Sequence, residues 1–324
     1  MNVRHWMAAA LLGLGLTAWA HAEPLKAWVQ GSEEFPSHQG LKLFMDTVKA
    51  KTNGKFEGQI QTKDTLGDIY KALPLLNQGQ LDVAVISNTP LYKAVPEMEV
   101  LSLPFMFSDT RGMMKALDGD LGKSLEKKLA AKGFLILGWY DGGSRSFYLK
   151  TKPNGYATDI EGKHLRIADR EALRTMVNSL GGVAVMMPLK DMPAAFTGNQ
   201  LDGAETDIFT YAKEEHYKYA PYFLSSNHSM QPEALIVSTQ LWARLSDAEK
   251  EIFRQAGHES AVMMRELWAR QSATLRGKLE KQGVRFLDLK NQTSFISRMR
   301  QVYQPILNKP DAGDLMLRIM TAKG

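Results

Sequence analysis

Three apolar runs near the start of the chain, LKAWVQ (25–30), KFEGQIQ (55–61) and LDVAVIS (81–87), are separated by segments whose apolar residues return at the helical period. In the first of those segments Leu41, Phe44, Met45 and Val48 lie on one helical face, and Gly54 follows as a left-handed cap would. The second, IYKALPLLNQGQ, carries Pro74 in its middle. Strand, helix, strand, helix, strand leaves few architectures open, because each helix must cover a sheet face and return the chain to a parallel neighbour. The fold class expected is α/β with mainly parallel sheets.

The alternation resumes further along. A helix is expected over about 112–132, a strand at FLILGWY (134–140), an extended stretch at SRSFYLKT (144–151) and a short apolar strand around HLRIA. A helix from Arg170 to Leu180 stops at Gly181-Gly182, and VAVMM, KDMPAAFTGN and LDGAET then read as strand, helix and strand. Two stretches echo each other, LLNQGQLDVA (75–84) and AFTGNQLDGA (195–204), which points to two similar α/β lobes. SDAE (246–249) is a capping box, and from there to Gln282 the chain has no proline and two glycines, Gly257 and Gly277. With Phe253, Ala256, Met263, Leu267, Leu275 and Leu279 at helical spacing, a single helix of about 50 Å fits at 1.5 Å per residue. A break at either glycine is the alternative.

Residues 1–22 have the form of an export signal: Arg4 and His5, an apolar run from Met7 to Trp19 too short to span a bilayer, and Ala20-His21-Ala22 before Glu23. A buried N-terminal helix is the other reading. Cysteine is absent from all 324 residues, which excludes disulfides, thiolate metal sites, cysteine nucleophiles and a lipidated N-terminal cysteine. The expected location is the periplasm, as a protein neither lipid-anchored nor membrane-spanning. The 40 basic and 35 acidic residues are interleaved, with no basic stripe carrying aromatics, so no nucleic acid is expected as a partner.

Enzymatic motifs fail in turn. LDGDLGKS ends like a phosphate loop but has Leu117 where glycine is required, and GGSRS has Ser146 where a nucleophile elbow needs glycine. His38, His164, His216, His228 and His258 have no zinc spacing, so neither a metal nor a cofactor is expected, and Glu33-Glu34 reads as a solvated loop. Two arginines in apolar or small-residue settings stand out instead, Arg145 in GGSRSFY and Arg166 in HLRIA. A buried guanidinium needs an anion, and its planar fork matches a carboxylate. Two readings stay open: a ligand carboxylate, or an internal acid among Asp169, Asp202, Glu205 and Asp207.

In order along the chain, TLGDIYKALPLLNQGQLDVAVIS, LSLPFMF (101–107), LGWYDGGSRSFY, IEGKHLRIADREAL, LDGAET and LIVSTQLWARLSDAEKEIF resemble the substrate-binding proteins of tripartite ATP-independent periplasmic (TRAP) transporters, the DctP-like family. The resemblance runs over essentially the whole chain after residue 22. It implies two lobes joined by strands and a long helix, here 23–143 with 232–270 and 144–231 with 271–324, closing over an organic acid. By the same resemblance Arg166 is the carboxylate clamp and Arg145 a second arginine reaching the ligand. Gln30, Ser87 and Asn88 fall where ligand polar groups are met, as crevices at strand C-termini suggest. Leu189 stands where members often have an aromatic residue, so a different wall is expected there, and Thr206 where many have asparagine, so a ligand of different hydroxyl pattern or length is expected. Asp207, Trp139, Tyr140 and Phe209 are further candidates for the crevice wall.

The function implied is capture of a small carboxylate without catalysis, for delivery by a monomer to the small and large permease subunits. A sugar acid, a uronate or aldonate, is expected ahead of a C4-dicarboxylate. A secreted hydrolase or lyase acting on acidic sugars is the rival, and presentation of the ligand to a sensor kinase would use the same chemistry.

Overall fold

The computed structural model describes residues 23–321, so the expected export signal lies outside the described residues. Nine strands form one continuous sheet: β1 (Glu23–Val29), β2 (Phe56–Thr62), β3 (Val83–Ser87), β4 (Phe134–Leu149), β5 (His164–Ile167), β6 (Val183–Met186), β7 (Gly203–Thr206), β8 (Tyr222–Ser238) and β9 (Arg285–Asp288). The order is β2-β1-β3-β8-β4-β7-β5-β6, with β9 beside β8. Each end is a parallel α/β unit, β2-β1-β3 at one and β7-β5-β6 at the other. Between them β4 and β8 run antiparallel to each other and to their outer neighbours, β7 and β3. The two similar lobes hinted at by the repeated Leu-Asp-x-Ala segments are thus halves of one sheet, and those segments lead into β3 and β7, which flank the central pair.

The 134–140 and 144–151 stretches are one strand of 16 residues, and its partner β8 has 17. At about 3.3 Å per residue either spans roughly 50 Å, the length of the molecule's long helix. Their pairing slips between Asp141 and Ser144, where Asp141 faces Pro232 and Ser144 faces Met230. Gly143 has φ +82° there, and a Cβ on it would come 2.1 Å from the Trp268 ring, so glycine is required for both backbone and packing. Positions 143/144 and 231/232, the expected lobe boundaries, lie opposite each other at this slip.

The long helix is unbroken over Asp247–Lys281, started by the reciprocal hydrogen bonds of Ser246 and Glu249. Gly257 is no breaker but a crossing point, since a Cβ there would meet Leu137 O of β4 at 2.6 Å, and one on Gly138 would meet Gly257 O at 2.8 Å. The helix expected over 112–132 is two helices, Thr110–Asp118 and Asp120–Ala130, because Gly119 leaves helical geometry at φ −95°, ψ −158°. The last helix, Pro310–Thr321, packs on the Pro96–Ser102 turn in the first half of the chain, with Asp311 3.5 Å from Lys128.

Apolar side chains fill both faces of the sheet. Leu41, Phe44 and Val48 of helix Pro36–Lys51 meet Phe253, Ala256 and Met264 of the long helix over β1 and β3. Trp28, Ile86, Trp139, Ile236 and the Met98–Leu103 region pack on the opposite face. A third cluster, rich in aromatics, joins Tyr148, Phe196, Tyr211 and Phe223. Among the described residues no helix is long and apolar enough to cross a membrane.

Candidate functional site

A cavity of about 260 Å³ opens beyond the strand ends between the two halves of the sheet. From the first half it is bounded by Gln30 after β1, Ser87 at the end of β3, Ser37 at the start of the Pro36–Lys51 helix, and Lys63 and Asp64 after β2. From the second half come Leu189 after β6, Asp207 after β7 and Lys213, while Gly142 and Gln231 enter from the register slip and Glu233 from β8. At the mouth Lys213 Nζ lies 3.1 Å from Ser32 Oγ and 3.4 Å from Glu34 Oε1. The Phe35, Phe209 and Trp268 rings line up beside it, with centroids 6.0 Å and 4.7 Å apart.

Arg166 is the next-to-last residue of β5, between β6 and β7, the two strands that feed Leu189 and Asp207 to the cavity. It is not among the residues bounding the 260 Å³ space. The guanidinium is tethered by Nε, which donates to Met187 O at 3.0 Å. Among the described residues its terminal nitrogens make no hydrogen bond and no carboxylate lies within ion-pair distance. Burial lowers its pKa from the ordinary value; Glu205 opposes that shift and the nearby Arg145 charge adds to it. Loss of charge is therefore favoured more than in water, and an arriving anion would reverse the balance.

Arg145 takes the other course. Its fork grips Glu205: Nε meets Oε2, Nη2 reaches Oε1 at 2.8 Å and Glu205 O at 2.9 Å. Nη1 turns to Gln231 Oε1 at 3.3 Å. Glu205 is fully buried and also accepts from Ala168 N at 2.9 Å, with His228 Nε2 at 3.5 Å. Burial would raise the Glu205 pKa, but the Arg145 charge and the hydrogen bonds of His228 and Arg145 outweigh it and hold the carboxyl well below the carboxylate range. Of the two readings open for Arg145, an internal acid partner is the one present. His216, its Nδ1 2.7 Å from the Tyr148 hydroxyl, is pushed down to about 4 by burial and by the Arg166 charge, so it adds no positive charge near neutral pH.

Gln30, Ser87, Leu189 and Asp207 are brought together at the cavity as expected positions. Asp207 is also committed locally, capping the Ile208–Lys213 helix through Thr210 N at 2.9 Å. Thr206 is buried, its hydroxyl 3.5 Å from Asp207 Oδ2. Two candidates sit elsewhere. Asn88 is buried with its amide donating to Met98 O and Ser102 Oγ, which ties down the following turn. Trp139 belongs to the core on the other side of the sheet, its Nε1 bonded to Glu126 at 2.8 Å, because alternation along β4 turns it away from the crevice. Of the two further positions, Phe209 is at the mouth, whereas Tyr140 is fully buried and bonded to Ser260.

Sequence reasoning missed Glu233, Gln231 and Trp268. The signal for Glu233 was available: an acid between Pro232 and the apolar run ALIVS breaks a buried strand just as Arg166 does.

Comparison with known proteins agrees with this fold. A TRAP periplasmic solute-binding protein from a Sulfitobacter species, solved with bound β-D-galacturonate, is 31% identical; the match covers 90% of this chain and 98% of that one, with a TM-score of 0.82. One from Chromohalobacter salexigens, solved with bound D-glucuronate, is 28% identical over 92% of this chain and 99% of its own, with a TM-score of 0.85. The C4-dicarboxylate-binding periplasmic protein DctP of Rhodobacter capsulatus is 29% identical over 73% of this chain and 72% of its own length. Residues 29–310 match the DctP family as a whole, and the chain belongs to it, the bacterial extracellular solute-binding proteins of family 7.

Proposed function

We propose that the protein captures a sugar acid of the hexuronate type in the periplasm and delivers it, as a monomer and without chemical change, to the small and large permease subunits of a TRAP transporter. One observation carries the reading: Arg145 is paired with Glu205, whereas the neighbouring buried Arg166 guanidinium has no carboxylate within ion-pair distance among the described residues, and Arg170 nearby adds a further positive charge. A ligand carboxylate supplies the missing charge at Arg166. Arg145, locked on Glu205, holds Gln231 toward the cavity and is a positioning residue. Gln30, Ser87 and Gln231 offer neutral donors and acceptors for ring hydroxyls.

The lobes 23–143 with 232–270 and 144–231 with 271–324 close about the register slip at Asp141–Ser144, one of three shifts in the pairing of the connecting strands. Support for the ligand class comes from the two similar proteins solved with galacturonate and glucuronate. A thermal-shift screen of residues 23–324 tests it. D-Glucuronate, D-galacturonate or an aldonate at about 100 times its Kd should add about 2.7 kcal/mol of stability, a rise of several degrees. Midpoints that move only with aliphatic keto acids or aromatic acids would overturn the assignment.

A further inference from the structure

Glu233 stands on β8 opposite Ser87 of β3 and Tyr140 of β4, at the base of the cavity. Gly142 lies directly against it, and a Cβ there would come 3.1 Å from its Cγ, so glycine at 142 leaves the Glu233 side chain its room. Among the described residues it accepts no hydrogen bond and forms no ion pair, and Oε2 is buried without any partner. A buried carboxyl with nothing to accept from is costly, and such groups in native structures mark a missing partner. The charged groups around it are Asp141 and Asp207, which repel its ionised form, and across the cavity Lys63, Asp64, Lys213 and Glu214. Burial, then those two acids, raise its pKa to about 7.

Resting on the solute-binding reading above, we propose that Glu233 is the specificity-determining residue of the cavity: it accepts hydroxyl groups of a polyhydroxylated monocarboxylate and excludes a second ligand carboxylate. A hydroxyl pair can satisfy both of its oxygens without bringing charge into a dry space. A second carboxylate placed beside Glu233 would meet the charge of Asp207 on the same wall and that of Asp141 close behind. An ammonium group is the other donor that fits a carboxylate, but it only donates, whereas a sugar hydroxyl can donate to Glu233 and accept from the neutral side chains of the same cavity, Gln30 and Gln231.

Calorimetric titration of the full mature chain with D-glucuronate, D-galacturonate, succinate and 4-aminobutyrate tests this at pH 7.5. The wild type should bind at least one uronate 100-fold or more tighter than succinate or 4-aminobutyrate. Glu233→Ala should weaken the uronate at least tenfold while tightening succinate, and Glu233→Gln, which keeps an acceptor oxygen, should fall between. Uronate binding with the same selectivity in all three proteins would overturn the role of Glu233 and leave the sugar-acid reading standing. A wild type that binds none of these acids would remove that reading itself. Wild-type preference for succinate or 4-aminobutyrate contradicts the proposal even if the variants do not fold.

Discussion

A guanidinium withdrawn from water beside another guanidinium is tolerable only while something nearby is negative, and here Glu205 pairs with Arg145 while also favouring the charge of Arg166 and Arg170. Its depressed pKa fixes the sign of a stability effect: the contribution is complete above the ordinary value of 4.5 and is lost as pH falls through the lower folded value. Glu205→Gln should therefore destabilise the protein by about 3–5 kcal/mol at pH 7, the usual cost of stranding a buried charge. The deficit should shrink below pH 4.5, because the unfolded wild type then takes up a proton that the folded carboxylate does not. Denaturant melts of both proteins at pH 7 and pH 4 check this; parallel curves with a constant gap would contradict it. The neighbouring Arg145 also shows how far residue-level reading reaches. Glu205 was among the acids available to it in sequence, but choosing among four candidates required the strand pairing of β4 with β7, which puts Ser146 beside Thr206 and Phe147 beside Glu205.

The long helix shows what one pattern can and cannot say about an element. Its capping box and apolar spacing announced both its start and its length, but Gly257 and Gly277 looked alike as possible breaks. Packing separates them: Gly257 allows β4 to touch the helix backbone, whereas a Cβ on Gly277 meets nothing within 4 Å. Gly277→Ala should stabilise by up to about 1 kcal/mol through helix propensity alone. Gly257→Ala should cost about 1–3 kcal/mol by overpacking against Leu137, and thermal melts of the pair read the contrast. If both substitutions stabilise, the close crossing is not a constraint. β3 was legible for a related reason, since the run LDVAVIS is buried on both faces. β8 was not, because its middle, SSNHSMQPE, is polar where it crosses between the halves and lines the crevice. The residues that broke the strand pattern are those that carry the site.

At the scale of the whole molecule, two strands and one helix of about 50 Å tie the halves together while the Asp141–Ser144 slip interrupts their regularity at the level of the cavity. The same slip brings Gly142 and Gln231 to the cavity wall, so closure and ligand contact depend on one place in the sheet. What closes the halves, on this account, is an acid whose carboxylate completes the charge balance at Arg166 and whose hydroxyls meet the polar wall. Isothermal titration of D-glucuronate and D-galacturonate into the wild type and Arg166→Ala, with circular dichroism confirming that the variant is folded, tests that claim most directly. The account predicts saturable binding of at least one uronate by the wild type and at least a hundredfold loss in the variant. An Arg166→Ala protein that binds the same acid with wild-type affinity would contradict it.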